Sequence, residues 1–200
     1  GIECQVYTSE NNSWLFEFPS LPKGRFNSVC FVYRDSLYVF GGTDNSSNMN
    51  EIVRYDLSTQ NSGEWTTIAK VNEANQRGGV AFVVEDKVYA GLGEKSNGIR
   101  NGFYVSSDSL TKWELIPSIP AQLGVISSGV YDEQKKSFFM IDNDGKIWEY
   151  NLTTEQWTSR SLWIRMKNYH MFMLDGSIYI LGQDIYQKNK FTVYNPIWDN

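Results

Sequence analysis

His170 is the one histidine in 200 residues, and Cys4 and Cys30 are the two cysteines. Nucleophilic catalysis by a triad needs a histidine oriented by an acid and set against a nucleophile. A structural zinc site needs four N or S ligands, more than this set supplies. His170 lies in the apolar run Tyr169-His170-Met171-Phe172 and is expected to be packed and hydrogen-bonded. Cys30 lies in Val29-Cys30-Phe31-Val32 and is expected to be a small core residue. Glu94, Asp108, Glu133 and Asp184 are carboxylates in polar loops. General acid–base chemistry needs two such groups at one site, and no spacing pairs them, so they read as solvated loop charge. There is no D-x-D-x-D calcium loop, no P-loop and no G-x-G-x-x-G. The chemistry-bearing residues therefore point to a protein without a cofactor or metal that is not an enzyme.

Charge and hydropathy narrow the partners. The net charge is −5 and the Lys and Arg residues are scattered, so no basic stripe exists to follow a nucleic-acid backbone. No run of 18 apolar residues is present, which excludes a helical membrane span. The chain is rich in Asn and Ser, and an extracytoplasmic location, periplasm or cell surface, is expected ahead of the cytoplasm.

The elements that must position these residues show in the aromatics. Tyr7, Tyr55, Tyr104, Tyr150 and Tyr194 recur every 44–49 residues, and Trp14, Trp65, Trp113 and Trp157 follow the first four by 7–10. A period of that length carried by aromatic and β-branched residues marks an array of β units. Units cover approximately 1–22 (partial), 23–71, 72–119, 120–161 and 162–200, and the whole of 1–200 reads as one domain. Unit 23–71 is the clearest. Phe26 to Tyr33 reads as a strand, Arg34-Asp35-Ser36 as a turn and Leu37 to Phe40 as a second strand closed by Gly41-Gly42. A polar loop follows over Thr43–Asn50, then Glu51 to Asp56, a turn, and Glu64 to Ile68. Short strands punctuated by turns give a four-stranded antiparallel meander. The repeating Tyr and Trp residues are expected to pack between units. Trp148, Trp163 and Trp198 stand off that register and are the candidates for stacking on a sugar.

The order polar turn, Leu37-Tyr38-Val39-Phe40-Gly41-Gly42, Tyr55-Asp56, Trp65 resembles the kelch repeat. The resemblance extends, with weakening glycines, over the chain: Gly91 and Gly93 in the second unit, Asp142-Asn143 in the third, Gly182 in the fourth. It implies an all-β, kelch-type β-propeller of four-stranded antiparallel blades, with four to five blades visible. The partial unit and unit 162–200 each carry a third strand, so the chain is expected to be part of a longer propeller or to close unusually. In intracellular kelch adaptors, arginines just before the first strand of a blade line the ligand face. Arg25, with Asn27 beside it, and Arg77 match that place, as do Lys167 and Asn168 in the fourth unit; in the third the place falls near Leu123. An Arg fork suits a carboxylate. The longest loops, Thr43–Asn50 and Glu94–Asn101, are further candidates for recognition. The expected function is a non-catalytic module binding a protein or glycan ligand, on a secreted or surface bacterial protein. The alternatives are a cytoplasmic adaptor recruiting a protein, and a sugar isomerase of the sialic-acid-epimerase type.

Overall fold

A computed structural model describes residues 4–44, 46–59, 62–107, 109–163, 166–184 and 186–195, with the side chains of 4, 6, 15–17, 161–163 and 167 outside the description. The elements are strands joined by turns. A hairpin, β1 (Cys4–Thr8) and β2 (Ser13–Phe18), comes first. A four-stranded sheet follows: β3 (Val29–Tyr33), β4 (Ser36–Phe40), β5 (Glu51–Asp56) and β6 (Thr66–Lys70). The next is β7 (Val80–Val84), β8 (Lys87–Gly91), β9 (Phe103–Ser107) and β10 (Glu114–Leu115). The third is β11 (Ile126–Asp132), β12 (Ser137–Asp142), β13 (Lys146–Asn151) and β14 (Gln156–Trp163). The last has three strands, β15 (Lys167–Leu174), β16 (Ser177–Gln183) and β17 (Asn189–Tyr194). Every sheet is an antiparallel meander in sequence order.

Each sheet is apolar on both sides, because side chains alternate across a strand. One side, here called the front, meets the following sheet; the back meets the preceding one. Phe31, Tyr38 and Phe40 leave the front of β3–β6 and pack with Val88 and Ala90 from the back of β7–β10. Phe82 from the front of β7–β10 packs with Phe138, Met140 and Tyr150 from the back of β11–β14. Phe139 and Ile141 then meet Met171, Ile178 and Ile180. The hairpin covers the first back face: Phe18 and Leu21 lie on Val39, Val53, Tyr55 and Trp65.

The tryptophans lock these contacts. Trp65 is buried against Tyr55, ring centroids 5.3 Å apart, and its indole N–H donates to the Pro19 carbonyl at 2.8 Å. Trp113 meets Phe40 of the preceding sheet edge-on at 5.2 Å, and Trp157 packs on Tyr150 at 4.8 Å and Phe103 at 6.0 Å. Gly41 and Gly42 hold φ of 64° and 95°, and Gly42 N–H donates to the Gln76 carbonyl at 2.8 Å. A Cβ on Gly41 would run into the Ala74 carbonyl. Only glycine allows both the left-handed turn and that approach.

Three expectations need correcting. Tyr104 is not the counterpart of Tyr55 and Tyr150. Cross-strand register pairs Leu37 with Tyr55, Val88 with Ser106, Phe138 with Tyr150 and Ile178 with Tyr194. Ser106 therefore takes that place, and Tyr104 lies two residues before it. The task is the same in both: the Tyr55 hydroxyl accepts from Gly63 N–H at 3.1 Å, and the Ser106 hydroxyl donates to the Lys112 carbonyl, each pinning the turn that follows its strand. Cys30 is exposed, because it alternates with buried Val29 and Phe31. Trp148 does point opposite to Ile147, but it sits in the core with its indole N–H on Asp142 at 2.9 Å, so it offers no sugar platform. Trp198 and the Trp163 side chain lie outside the described residues.

Trp65 and Trp14 hold equivalent places in sequence but are 9% and 55% exposed. Trp65→Ala is expected to cost about 3–5 kcal/mol, and Trp14→Ala under about 0.5 kcal/mol, by urea unfolding at low protein concentration. Equal losses would show that the aromatics do not act through packing between units.

Candidate functional site

At one rim of the sheets, the residue leading into the first strand bonds back to the residue just past the second. Thr43 N–H donates to Phe26 carbonyl at 3.0 Å, Glu94 to Arg77 at 2.9 Å and Asn143 to Val125 at 2.9 Å. This short ladder sets the equivalences. Phe26, Arg77 and Val125 share one place; Thr43, Glu94 and Asn143 share another.

Arg25 and Arg77 therefore do not occupy the same place. Arg25 is one residue earlier, level with Gln76, and a one-residue step in an extended chain turns the side chain to the other face. The Arg25 side chain is 1% exposed, with its guanidinium donating to Gly41 carbonyl at 3.2 Å and to Glu51 at 3.1 Å. Gln76 is likewise buried, accepting from Gly93 N–H at 3.1 Å and Asn101 Nδ2 at 3.0 Å. Both brace the glycine-bearing turns from inside. Arg77 faces outward, its side chain 47% exposed, and donates through Nε and a terminal nitrogen to one oxygen of Glu94 at 3.0 and 2.9 Å.

Arg77 opens onto a cleft of ≈ 440 Å³. Its lining draws on all four large sheets: Asn27 from the first, Arg77, Gly78 and Glu94 from the second, Ser127 and Asn143 from the third, and Asn168, Tyr169 and His170 from the fourth. Asn27 and Asn168 both have positive φ, 51° and 55°, a conformation Asn tolerates better than most residues. The Asn27 carbonyl also accepts from Gly78 N–H at 2.7 Å, which fixes the first sheet to the second at the cleft wall. Asn168 begins an amide chain: its Nδ2 donates to Gln183 at 3.1 Å, and Gln183 Nε2 donates to Asn189 at 3.4 Å. This chain leads into an adjoining hollow of ≈ 260 Å³ shared by Asn168 and His170.

Of the expected contact residues, Asn27, Arg77 and Asn168 meet at this cleft and Arg25 lies inside the first sheet. Lys167 stands in β15 with its side chain outside the description. In the third unit Leu123 is buried, and the rim residues are Val125, Ser127 and Asn143. His170 is exposed on the cleft rather than packed, since β15 presents Tyr169 and Met171 to the core and His170 to the other side. Ser127, Asn143 and His170 were not singled out for binding by the sequence, whereas Glu94 opens the loop Glu94–Asn101 that was. Asn143 carried a signal, since in the sequence Asp142-Asn143 replaces the glycine pair of the first unit.

The electrostatics are muted. The Arg77–Glu94 pair is balanced, and the other lining groups are amides, hydroxyls, backbone, the His170 imidazole and the apolar Val125 and Ile126. Asn48 Nδ2 donates to the Glu94 carbonyl at 2.8 Å, so the loops that follow β4 and β8 touch beside the cleft. The first loop is held by Asp44, whose carboxyl lies well below the usual carboxylate range because Lys23 and then Ser46 bond to it. Asp184 is also lowered, chiefly by the Lys188 backbone N–H, as the anchor of the turn before β17. Among the described residues, no three His, Cys, Asp or Glu side chains are grouped to hold a metal ion.

A kelch-motif family matches residues 24–72, the span from the rim before β3 to the turn after β6. The chain carries a kelch repeat. The likeness of fold extends beyond that repeat: a solved structure described as "Structure of YjhT" aligns with a TM-score of 0.72 at 14% identity, over 98% of this chain and 76% of that one. No curated protein sequence matches significantly. The likeness establishes the propeller arrangement of antiparallel blades.

The two arginines should separate by stability. Arg25→Ala leaves Glu51 with Lys70 at 3.5 Å and strips a donor from a buried carbonyl, so a loss of about 2–3 kcal/mol is expected. Arg77→Ala breaks an exposed pair and should cost under about 1 kcal/mol. Urea unfolding checks both, and a larger loss at Arg77 than at Arg25 contradicts the assignment.

Proposed function

We propose that the protein is a non-catalytic binding module that takes an uncharged, extended segment of a protein ligand in the rim cleft. The observation that carries this reading is the convergence of Asn27, Arg77, Ser127, Asn143, Asn168 and His170, from all four large sheets, on one cleft. A primary amide offers two donors and an acceptor, which suits the alternating N–H and C=O groups of an extended main chain. The charge of Arg77 is taken up by Glu94 and Arg25 is inside, which weighs against an adaptor gripping an acidic peptide with an arginine pair. Tyr169, the cleft's aromatic residue among those described, is 2% exposed and gives no stacking platform, which favours a protein over a glycan. Glu94 is tied to Arg77, which weighs against a sugar isomerase using it as an acid or base. An extracytoplasmic location belongs to the same proposal and is supported by the Asn- and Ser-rich composition.

Selection of a phage-displayed random peptide library on the immobilised protein tests this. The expected result is an uncharged consensus whose capture falls at least about tenfold on Ser127→Trp, which fills the cleft, as expected where a few central contacts dominate. Equal capture by Ser127→Trp overturns the cleft as the site. An acidic consensus abolished by Arg77→Ala restores the adaptor reading, and binding of a glycan array with no peptide consensus replaces protein by sugar.

A further inference from the structure

At the rim opposite the cleft, where β7–β8, β11–β12 and β13–β14 turn, the second and third sheets meet through a group of tyrosines. A row crosses the back of the third sheet: Tyr131 opposite Phe138, Phe138 opposite Tyr150, and Tyr150 opposite Trp157. Tyr89 comes from the front of the second sheet and meets Phe138 edge-on at 5.0 Å. The Tyr131 and Tyr150 rings lie 5.4 and 6.4 Å from the same ring. Phe138 is fully buried, so three phenols from two sheets gather around one dry ring.

Their hydroxyls take no part in the fold. Among the described residues, the Tyr89, Tyr131 and Tyr150 hydroxyls have no hydrogen-bond partner. Tyr150 is 4% exposed, yet its hydroxyl is not one of the polar atoms sealed from solvent. Its register equivalent, Tyr55, accepts from Gly63 N–H and pins the turn after its strand. In the third unit Asn151 takes that task, accepting from Thr153 and Thr154 N–H at 3.0 and 2.9 Å. The Tyr150 hydroxyl is thereby released, and an unbonded polar group on a buried side chain calls for a partner.

The charge around the three hydroxyls is negative. Glu85, Glu133 and Glu155 stand exposed in the three turns, and none of them is in a salt bridge among the described residues. Burial comes first in holding each phenol above the usual tyrosine value. Glu155 and Glu85 add to it at Tyr89, Glu133 and Glu85 at Tyr131, and Glu155 at Tyr150. The phenols therefore stay neutral, with lone pairs to offer. Of the nearby lysines, Lys135 lies over the Phe139 ring at 5.8 Å, on the front of the third sheet. Lys87 lines a separate hollow with Ser107 and Lys112, and Lys136 is exposed at the end of the β11–β12 turn.

We propose that this tyrosine cluster is a second binding site, which takes the guanidinium of an arginine side chain from a protein partner. The Tyr89, Tyr131 and Tyr150 hydroxyl oxygens accept its N–H groups, and Glu85, Glu133 and Glu155 balance its charge. A guanidinium carries five donors in a fixed plane, which suits acceptors arrayed around one point, and it sits well against aromatic rings. An anion meets three carboxylates here and is repelled. The site shares no residue with the rim cleft.

NMR titration of the folded chain with N-acetyl-L-argininamide tests the proposal, read from the tyrosine ring signals. A saturable shift with a Kd of about 1–10 mM is expected for a single side chain. Tyr150→Phe keeps the ring and removes the hydroxyl, and should weaken binding at least about fivefold with the unfolding midpoint unchanged. Glu155→Gln should weaken it at least about twofold. Tetramethylammonium, which has no N–H, should bind at least about fivefold more weakly than the arginine amide. The absence of a saturable shift below about 50 mM overturns the proposal. So does undiminished binding by Tyr150→Phe, or a lowered midpoint in that variant, which makes the hydroxyl structural. Equal binding of tetramethylammonium overturns the role of the hydroxyls. Tighter binding of free L-arginine than of the blocked amide overturns the protein partner and makes the site one for the amino acid.

Discussion

Tyr38 and Tyr55 leave the same sheet on opposite sides, and each becomes dry only when another sheet lies over it. That requirement governs the molecule. A sheet of four short strands, apolar on both faces, has no stable existence alone, and the solution is a file of sheets stacked front to back. The repeating aromatics are the consequence. Trp65, Trp113 and Trp157 each sit where two layers meet, and their indole or ring contacts fix the spacing of the layers. The second unit shows how far the pattern tolerates substitution. Ser106 replaces the tyrosine but keeps a hydroxyl that holds the following turn, while neighbouring side chains supply the buried area.

The same stacking brings the rim residues together without constraining what they are. The ladder that joins Phe26 to Thr43, Arg77 to Glu94 and Val125 to Asn143 uses backbone atoms only. Its side chains can vary from apolar to charged to amide while the fold stays. Recognition is thus free to reside there, on a rigid frame, whereas the residues one step inward are committed. Arg25 and Gln76 hold the glycine turns, and Gly42 accepts no side chain because it lies against Ser28 and the Phe26 carbonyl.

Much was legible in the sequence. The aromatic period, the period-two alternation of β5 and the Gly41-Gly42 stop are local signals, and they located the strands, the repeat and the meander. Arg77 and Asn168 could be named as rim residues because each stands just before a predicted strand, and Asn27 because it lies beside Arg25 at the start of one. What escaped has one physical cause. Side chains in extended chain alternate sides, so an error of one residue in register exchanges inside for outside. Arg25 and Arg77 look alike by distance from an apolar run, yet the backbone ladder places one in the core and the other on the cleft. Cys30 and His170 sit in apolar runs that read as core, but each falls on the solvent side of its strand.

The sequence by itself determined that the chain would form apolar two-faced β units in tandem, because periodicity and turn chemistry act over a few residues. The tertiary structure alone decided which side of each strand meets a neighbour, and hence that Asn143 and His170 share a cleft with Arg77 while Tyr89 joins Tyr131 and Tyr150 around Phe138. Those outcomes depend on pairings between residues 40 or more apart, such as the Ser128 hydroxyl accepting from Met171 N–H at 2.9 Å, 43 positions away. No local pattern encodes them, because the partner surface comes from another unit.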